Sequence, residues 1–408
     1  MNVDTKLGDV AASPLSSKRP CIAQGLSYVR LKDQFIVYHA GTETIHRLNS
    51  AAAFILELCD GTRTVEQIKE SIASDANRQP QIEKDVDEWF SRAVSTGLIS
   101  LNSRSGRRAH VMDADLLAQV AKSLRKSGDI TLARECQRRA TELAPDDPTM
   151  WYSLGDLAQR EGDLRAALNA YQRCLALKKY DPKVSHLIAA LSDGPKPPRM
   201  SDEGLLETFE DFAPSFDERM RELEYRAPQL LAQAVWDVIG PPTADLLVLD
   251  LGCGTGLVGE QFRQWASVLH GVDISPGMVE LMQRRTLYDH VFIAEIMSWL
   301  PEVNDTYDLV VACDVLIYMG DLTGLTRGVS RILTPHGHFG FTLERCDDDY
   351  TLTGSGRYAH SAQHVREVAL ETGFEIRALK EGVLRLEQGE PVRGLVVVLQ
   401  KAVPETAS

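Results

Sequence analysis

The sequence predicts a multidomain α/β protein. A small winged-helix-like α+β module comes first, an all-α repeat module second, and a doubly wound α/β domain ending in an antiparallel hairpin third. Three observations carry that prediction. Residues 246–256, LLVLDLGCGTG, read as a doubly buried parallel strand running straight into a glycine loop. Residues 113–182 repeat with a period of 34. Residues 27–48 read as three short strands, and three helical patterns follow them.

At 408 residues the chain is long enough for several cores. A formal charge of −14 argues against a nucleic-acid partner, because phosphate binding needs clustered Lys and Arg. The seven cysteines are scattered with no C-x-x-C, so no metal site, disulfide framework or iron–sulfur centre is expected, and a reduced, cytoplasmic setting is. No apolar run approaches the roughly 18 residues of a membrane span, and no signal-like apolar core opens the chain.

Taken in order, residues 1–25 are polar and rich in Ser, Ala and Pro and are expected to be mobile. The strands SYVRL, QFIVYHAG and ETIHRL follow, with Gly41 and Thr42 at the hairpin turn. Asn49 and Ser50 cap the helix AAAFILELC, Asp60-Gly61 breaks it, and Thr64 opens VEQIKESIA. A helix over 81–95 and the strand GLISL complete a module spanning 26–105. Over residues 26–102, 8 Lys plus Arg face 11 Asp plus Glu, a net of −3 that disfavours DNA. The run IHRLNSAAAFILELCDGTRTVEQI resembles the small peptide chaperone of pyrroloquinoline quinone biosynthesis. That domain recurs as a leader-peptide recognition element in enzymes that modify ribosomally made peptides. The resemblance implies that a peptide docks as an added strand beside Glu43 and Leu48, against the helix around Val86 and Phe90. A purely structural appendage is the alternative.

In the repeat module, 110–193, Gly128 matches Gly162, Asp129 matches Asp163, Ala133 matches Ala167, and Pro148 matches Pro182. This is the tetratricopeptide period, with Trp151, Leu154, Gly155, Ala167 and Tyr171 at signature places. Fewer than three repeats are marginal alone, so the solenoid should pack on a neighbour, as a spacer or as a dock for a partner enzyme. Residues 194–204, GPKPPRMSDEG, read as a stiff polar linker to the last domain, 205–408.

In that domain Gly252, Gly254 and Gly256 let a ligand approach bare backbone at a helix N-terminus. The next apolar strand ends on Asp273, placed to chelate the two hydroxyls of a ribose. Gly254, Gly256 and Gly259 also satisfy the dinucleotide fingerprint, but Asp250 would repel a pyrophosphate and suits the ammonium of a methionine moiety. Glu295, after VFIA, could hold an adenine amine. DLGCGTG, the Asp273 step and YDLVVACDVLIY together resemble the class I methyltransferases that use S-adenosylmethionine, with their Rossmann-like fold. The resemblance implies that this cofactor is held by Asp250, Gly252, Gly254, Gly256, Asp273 and Glu295, with Ile274, Ile296, Asp314 and Tyr225 beside it. Phe209, Phe212 and Phe216 would form a lid, or else simply core. With repeats ahead of it, this stretch resembles a bacterial group of tetratricopeptide-containing methyltransferases, through to RYAHS and the final hairpin.

Ligands of parallel sheets lie beyond strand C-termini, so Asp314, Tyr318 and Glu344 should border the acceptor pocket. His360 is the preferred general base, with Tyr358 and Tyr318 as orienting alternatives; a loop histidine bonded to backbone is the competing reading. The chain lacks a [DN]-P-P-aromatic motif and a C-x-x-x-C-x-x-C cluster, which disfavours adenine or glutamine amides and unactivated carbon as acceptors. The expected function is N- or O-methylation of a ribosomally synthesised peptide. Methylation of a small metabolite such as a quinone and a non-catalytic peptide-binding adaptor are the alternatives.

Overall fold

A computed structural model describes residues 15–32, 34–75, 80–101 and 110–402. The chain forms two compact units, 1–161 and 162–408.

In the first unit, β1 (Cys21–Ile22), β2 (Leu26–Leu31), β3 (Gln34–His39) and β4 (Thr44–Asn49) precede α1 (Ser50–Leu58), α2 (Val65–Asp75) and α3 (Pro80–Ser95). Two short strands follow, β5 (Ile99–Ser100) and β6 (His110–Val111). The main sheet has the order β4-β3-β2-β6, antiparallel except where β6 joins β2, and β4 is an edge. GLISL does not join it; β5 pairs with β1 instead. Residues 15–25 therefore depart from the expected mobile segment. Cys21 is buried, Ile22 N–H donates to the Cys59 carbonyl, and Gly61 N–H donates to that of Pro20. Two apolar side chains in a polar stretch suffice to anchor it; residues 1–14 lie outside the described residues.

Strand alternation gives this sheet two apolar faces. Leu26, Val37 and Leu48 pack with Ile55, Leu56, Ile68, Val86 and Phe90 of the three helices. Val29, Leu31, Ile36 and Tyr38 face the other way, onto α4 (Ala114–Lys126), α5 (Ile130–Leu143) and α6 (Pro148–Arg160) through Leu117, Val120, Leu124, Ala133 and Met150. The neighbour that a short helical repeat requires is thus the back of the sheet. Each helix starts on an aspartate cap, Asp113, Asp129 and Asp147, which accepts from a first-turn N–H.

The second unit opens on α7 (Leu164–Lys178) and α8 (Pro182–Leu191), capped likewise by Asp163 and Asp181. Gly162 repeats the left-handed turn of Gly128, at φ +83° and +85°. The segment expected to be a linker is instead a strap. Met200 N–H donates to the Tyr318 carbonyl and Gly320 N–H to that of Pro198, both at 2.9 Å, and Met200 is buried. Prolines lack N–H groups but keep their carbonyls, so a proline-rich stretch can still dock. Then come α9 (Asp202–Phe212), α10 (Phe216–Glu222) and α11 (Ala227–Ile239).

The doubly wound domain follows as β7 (Leu246–Leu251), α12 (Leu257–Phe262), β8 (Ala266–Asp273), α13 (Pro276–Gln283), β9 (His290–Ile293), α14 (Ile296–Trp299), β10 (Tyr307–Ala312), α15 (Thr323–Ile332) and β11 (Leu333–Arg345). It ends with β12 (Tyr350–Leu352), β13 (Tyr358–His360), α16 (Ala362–Glu371), β14 (Phe374–Glu387) and β15 (Glu390–Lys401). Strands β9-β8-β7-β10-β11 are parallel; β15 joins β11 antiparallel and β14 pairs outside it. Only β14 of the terminal hairpin is therefore an edge. Leu249, Leu251, Val310 and Ala312 pack on one face of the sheet, Val248, Leu309 and Val311 on the other. Such strands read as continuous apolar runs because both faces are covered.

Candidate functional site

The order of the sheet reverses between β7 and β10, and a pocket enclosing about 980 Å³ of empty space, open solvent at its mouth included, lies there. That is the position of a ligand crevice in open α/β sheets. Gly252 and Gly254 line it at φ +69° and +51°. A Cβ on Gly252 would stand 2.4 Å from Val315 Cγ2, whereas one on Gly254 would meet no atom within 4 Å. At Gly254 the loop thus shows bare backbone to open space, while Gly252 is glycine because Val315 leaves no room for a side chain.

Asp273 lines the pocket and accepts from Gly254 N–H at 2.8 Å and Ser275 N–H at 2.9 Å. Burial pushes its carboxyl up, against the pull of those N–H groups. Ile274, Glu295 and Ile296 line the same wall, and Glu295 also caps α14, accepting from Met297 and Ser298 N–H. Asp250 and Gly256 stand back from the pocket wall. Asp250 is buried, accepts from the Tyr288 hydroxyl at 2.5 Å, and has one oxygen with no partner among the described residues. Burial pushes its carboxyl up to about 8, with Tyr288 holding it down. The Tyr288 hydroxyl also accepts from Gly259 N–H at 3.1 Å, a tie that sequence reading missed because Tyr288 sits in a polar turn.

The opposite wall is apolar. Leu205, Phe209, Phe216, Met220, Leu223 and Tyr225 line it, while Phe212, expected beside them, does not. The helices carrying them are tied to the glycine loop and to α13. Glu210 accepts from the Ser275 hydroxyl and Gly277 N–H, and Asp217 from the Thr255 hydroxyl.

Beyond β10 and β11 lies a charged end whose arginines the sequence did not announce. Asp314, at φ +54°, and Tyr318 line the pocket together with Arg357 and Arg385. Arg385 donates to Asp314 at 2.7 Å, to Glu387 at 2.9 Å, and to Glu344. Arg357 reaches Glu344 at 3.4 Å and also pairs with Glu387. Glu344 therefore reaches the pocket through its arginines. Burial works against the charge on Glu387, but Arg357 and Arg385 hold its carboxyl down at about 2.

His360 and Tyr358, expected as base and orienting group, are corrected by this geometry. Both are buried off the pocket wall; His360 Nε2 donates to the Gly320 carbonyl at 2.8 Å, and the Tyr358 hydroxyl donates to the Pro197 carbonyl. Burial pushes the His360 imidazole down to about 4. These two side chains hold the strap and the turn after β10 rather than meeting a ligand. Tyr318 stays at the pocket, edge-on to Phe209 with ring centroids 5.5 Å apart.

In the first unit a groove runs between β4 and α3, lined by Ile45, His46, Leu48, Asp85, Trp89 and Arg92 among others. Among the described residues no helix is long and apolar enough to cross a membrane.

Fold and site together describe an α/β crevice with glycine backbone and carboxylates suited to a nucleoside ligand. Residues 248–337 match the family model "Methyltransferase domain", residues 34–99 match "Coenzyme PQQ synthesis protein D (PqqD)", and residues 94–207 match "ChAPs (Chs5p-Arf1p-binding proteins)". Methyltransferase-like protein 27 of Homo sapiens is 35% identical over 113 residues, 27% of this chain and 46% of that protein. A ubiquinone biosynthesis O-methyltransferase of Xanthomonas oryzae is 27% identical over 114 residues, 27% of this chain and 48% of that protein. The chain thus spans about half the length of these curated relatives. A solved structure of magnesium protoporphyrin IX methyltransferase from Synechocystis, with bound SAH, aligns at 17% identity and TM-score 0.39, covering 50% of this chain and 100% of that one.

Proposed function

We propose that the protein is an S-adenosylmethionine-dependent methyltransferase acting on a ribosomally synthesised peptide that its N-terminal module recruits. The observation that carries the reading is the crevice wall of bare Gly252 and Gly254 backbone beside Asp273, Ile274, Glu295 and Ile296. The residues fit the cofactor: the Gly254 backbone meets open space, and Asp250 behind the loop keeps an oxygen with no partner among the described residues. When bound, S-adenosylmethionine supplies an electrophilic methyl group. The chain's own part is to hold the nucleoside with Asp273 and Glu295, to exclude water with Phe209, Phe216 and Tyr225, and to orient the acceptor with Asp314 and Tyr318. Titrating S-adenosylhomocysteine calorimetrically into Asp273→Ala tests this. A loss of about 1.5–3 kcal/mol is expected for removing hydrogen bonds to a charged group; unchanged affinity sinks the assignment.

The modules proposed are a winged-helix-like recognition domain over 26–105, tetratricopeptide repeats over 110–193 that space it or dock a partner enzyme, and the catalytic domain to 408. The match to the pyrroloquinoline quinone protein and the groove beside the edge strand β4 support peptide docking by strand addition. One observation favours a second reading, methylation of a small metabolite: the pocket is walled by apolar side chains from α9, α10 and the turn that follows, which suits a compact acceptor.

A further inference from the structure

Five charged-type side chains form one cluster at the far end of the pocket: Asp314, Arg357 and Arg385 line it, and Glu344 and Glu387 pair with the two arginines behind that lining. Arg385 is 2% exposed and already serves all three carboxylates, while Glu387, at 34%, is the most open member. Three anions against two cations leave one negative charge in surplus. An arginine in a substrate pocket ordinarily suggests a carboxylate ligand. Here Arg385 already pairs with three carboxylates and Arg357 with two, so an incoming carboxylate would raise the surplus to two in a poorly screened place. A cationic group would cancel it. The walls agree, since Phe209, Phe216 and Tyr318 line the same space and aromatic faces attract cations.

We propose that this end of the pocket selects an acceptor bearing an amine on an apolar body, and rejects a carboxylate. The inference rests on the methyltransferase reading, and it concerns the charge that the acceptor molecule carries, not the atom that takes the methyl group. The surplus belongs to the acceptor side and not to the nucleoside side, because Glu344, Arg385 and Glu387 stand on β11 and β14, which the sheet order separates by β10 and β7 from the strands β8 and β9 that lead to Asp273 and Glu295.

Two probes with matched bodies separate the charges: phenethylamine and 3-phenylpropionate, titrated calorimetrically into the full chain saturated with S-adenosylhomocysteine. The amine is expected to bind at least about tenfold tighter, since the two probes differ by two unit charges at a partly buried site. Glu344→Gln, which balances the cluster at two against two, should shrink that preference severalfold; Glu387→Gln, more open and safer for folding, should do the same. Equal affinities, a preference for the carboxylate, no binding of either probe, or a preference untouched by both variants would overturn the proposal. Failure of S-adenosylhomocysteine to bind would instead strike the cofactor reading. The two probes are then compared on the protein alone, so the two failures stay distinct.

Discussion

Asp273 and Glu295 were legible because each closes an apolar run, and such runs place their last residue at the ligand edge of a parallel sheet. Gly252 is legible for the same reason, and its role is testable: alanine there must adopt φ +69° and displace Val315, which should cost about 1–2 kcal/mol of stability and weaken S-adenosylhomocysteine binding. Wild-type melting and affinity in Gly252→Ala would contradict that. His360 was misread because the sequence shows an ionisable group on a polar loop but not its burial. The corrected role has a pH signature. Its folded pKa, about 4, lies below the ordinary 6.5, so the unfolded chain binds more protons between those values. The stability it confers is complete above pH 6.5 and falls as pH drops toward 4, by roughly 3 kcal/mol at the lower limit. His360→Gln should flatten the part of the denaturant-midpoint profile that lies between pH 6.5 and 4; an unchanged slope would remove His360 as its source. Arg385 was missed from the opposite direction. It alternates with buried Leu384 on a strand that reads as half solvated, and its partner Asp314 lies in the loop after β10.

Elements carry information that residues do not. β14 alone looks like an edge strand with a wet face. Its far end pairs instead with the turn between α10 and α11, Arg226 N–H donating to the Leu384 carbonyl and Leu386 N–H to that of Leu223, both at 2.7 Å. This pairing carries Arg385 into the pocket, and no periodicity in β14 announces it. The strap at 197–200 is a parallel case, where composition signals a linker and backbone hydrogen bonds make a docked segment. Tyr358 belongs to this scale, since its hydroxyl reaches Pro197 of the strap. Tyr358→Phe should lower stability by about 1 kcal/mol, the worth of one hydrogen bond, and leave the turnover rate within a few-fold. A rate loss of about a hundredfold or more with unchanged stability would return Tyr358 to the chemistry.

For the molecule as a whole, periodicity of 34 and the glycine loop made the succession of folds legible, while the burial of short elements did not show. The repeat helices α4–α6 complete a core with Val29, Leu31, Ile36 and Tyr38, so excising the N-terminal module would strip an apolar face and confound any recruitment assay. A point change in the intact chain avoids that. Trp89 lines the groove opposite the edge strand β4, and Trp89→Glu would set a charge where strand addition needs an apolar pocket. If recognition and reaction occupy separate sites, a precursor peptide held at the groove reaches the pocket at raised effective concentration. The variant should then keep wild-type affinity for S-adenosylhomocysteine and a wild-type kcat on a precursor-peptide substrate, while its KM rises by about tenfold or more. Steady-state kinetics with that peptide well below and well above saturation separate the two parameters. Equal efficiency of variant and wild type at the low concentrations would show that the groove does not recruit, and would favour the small-metabolite reading.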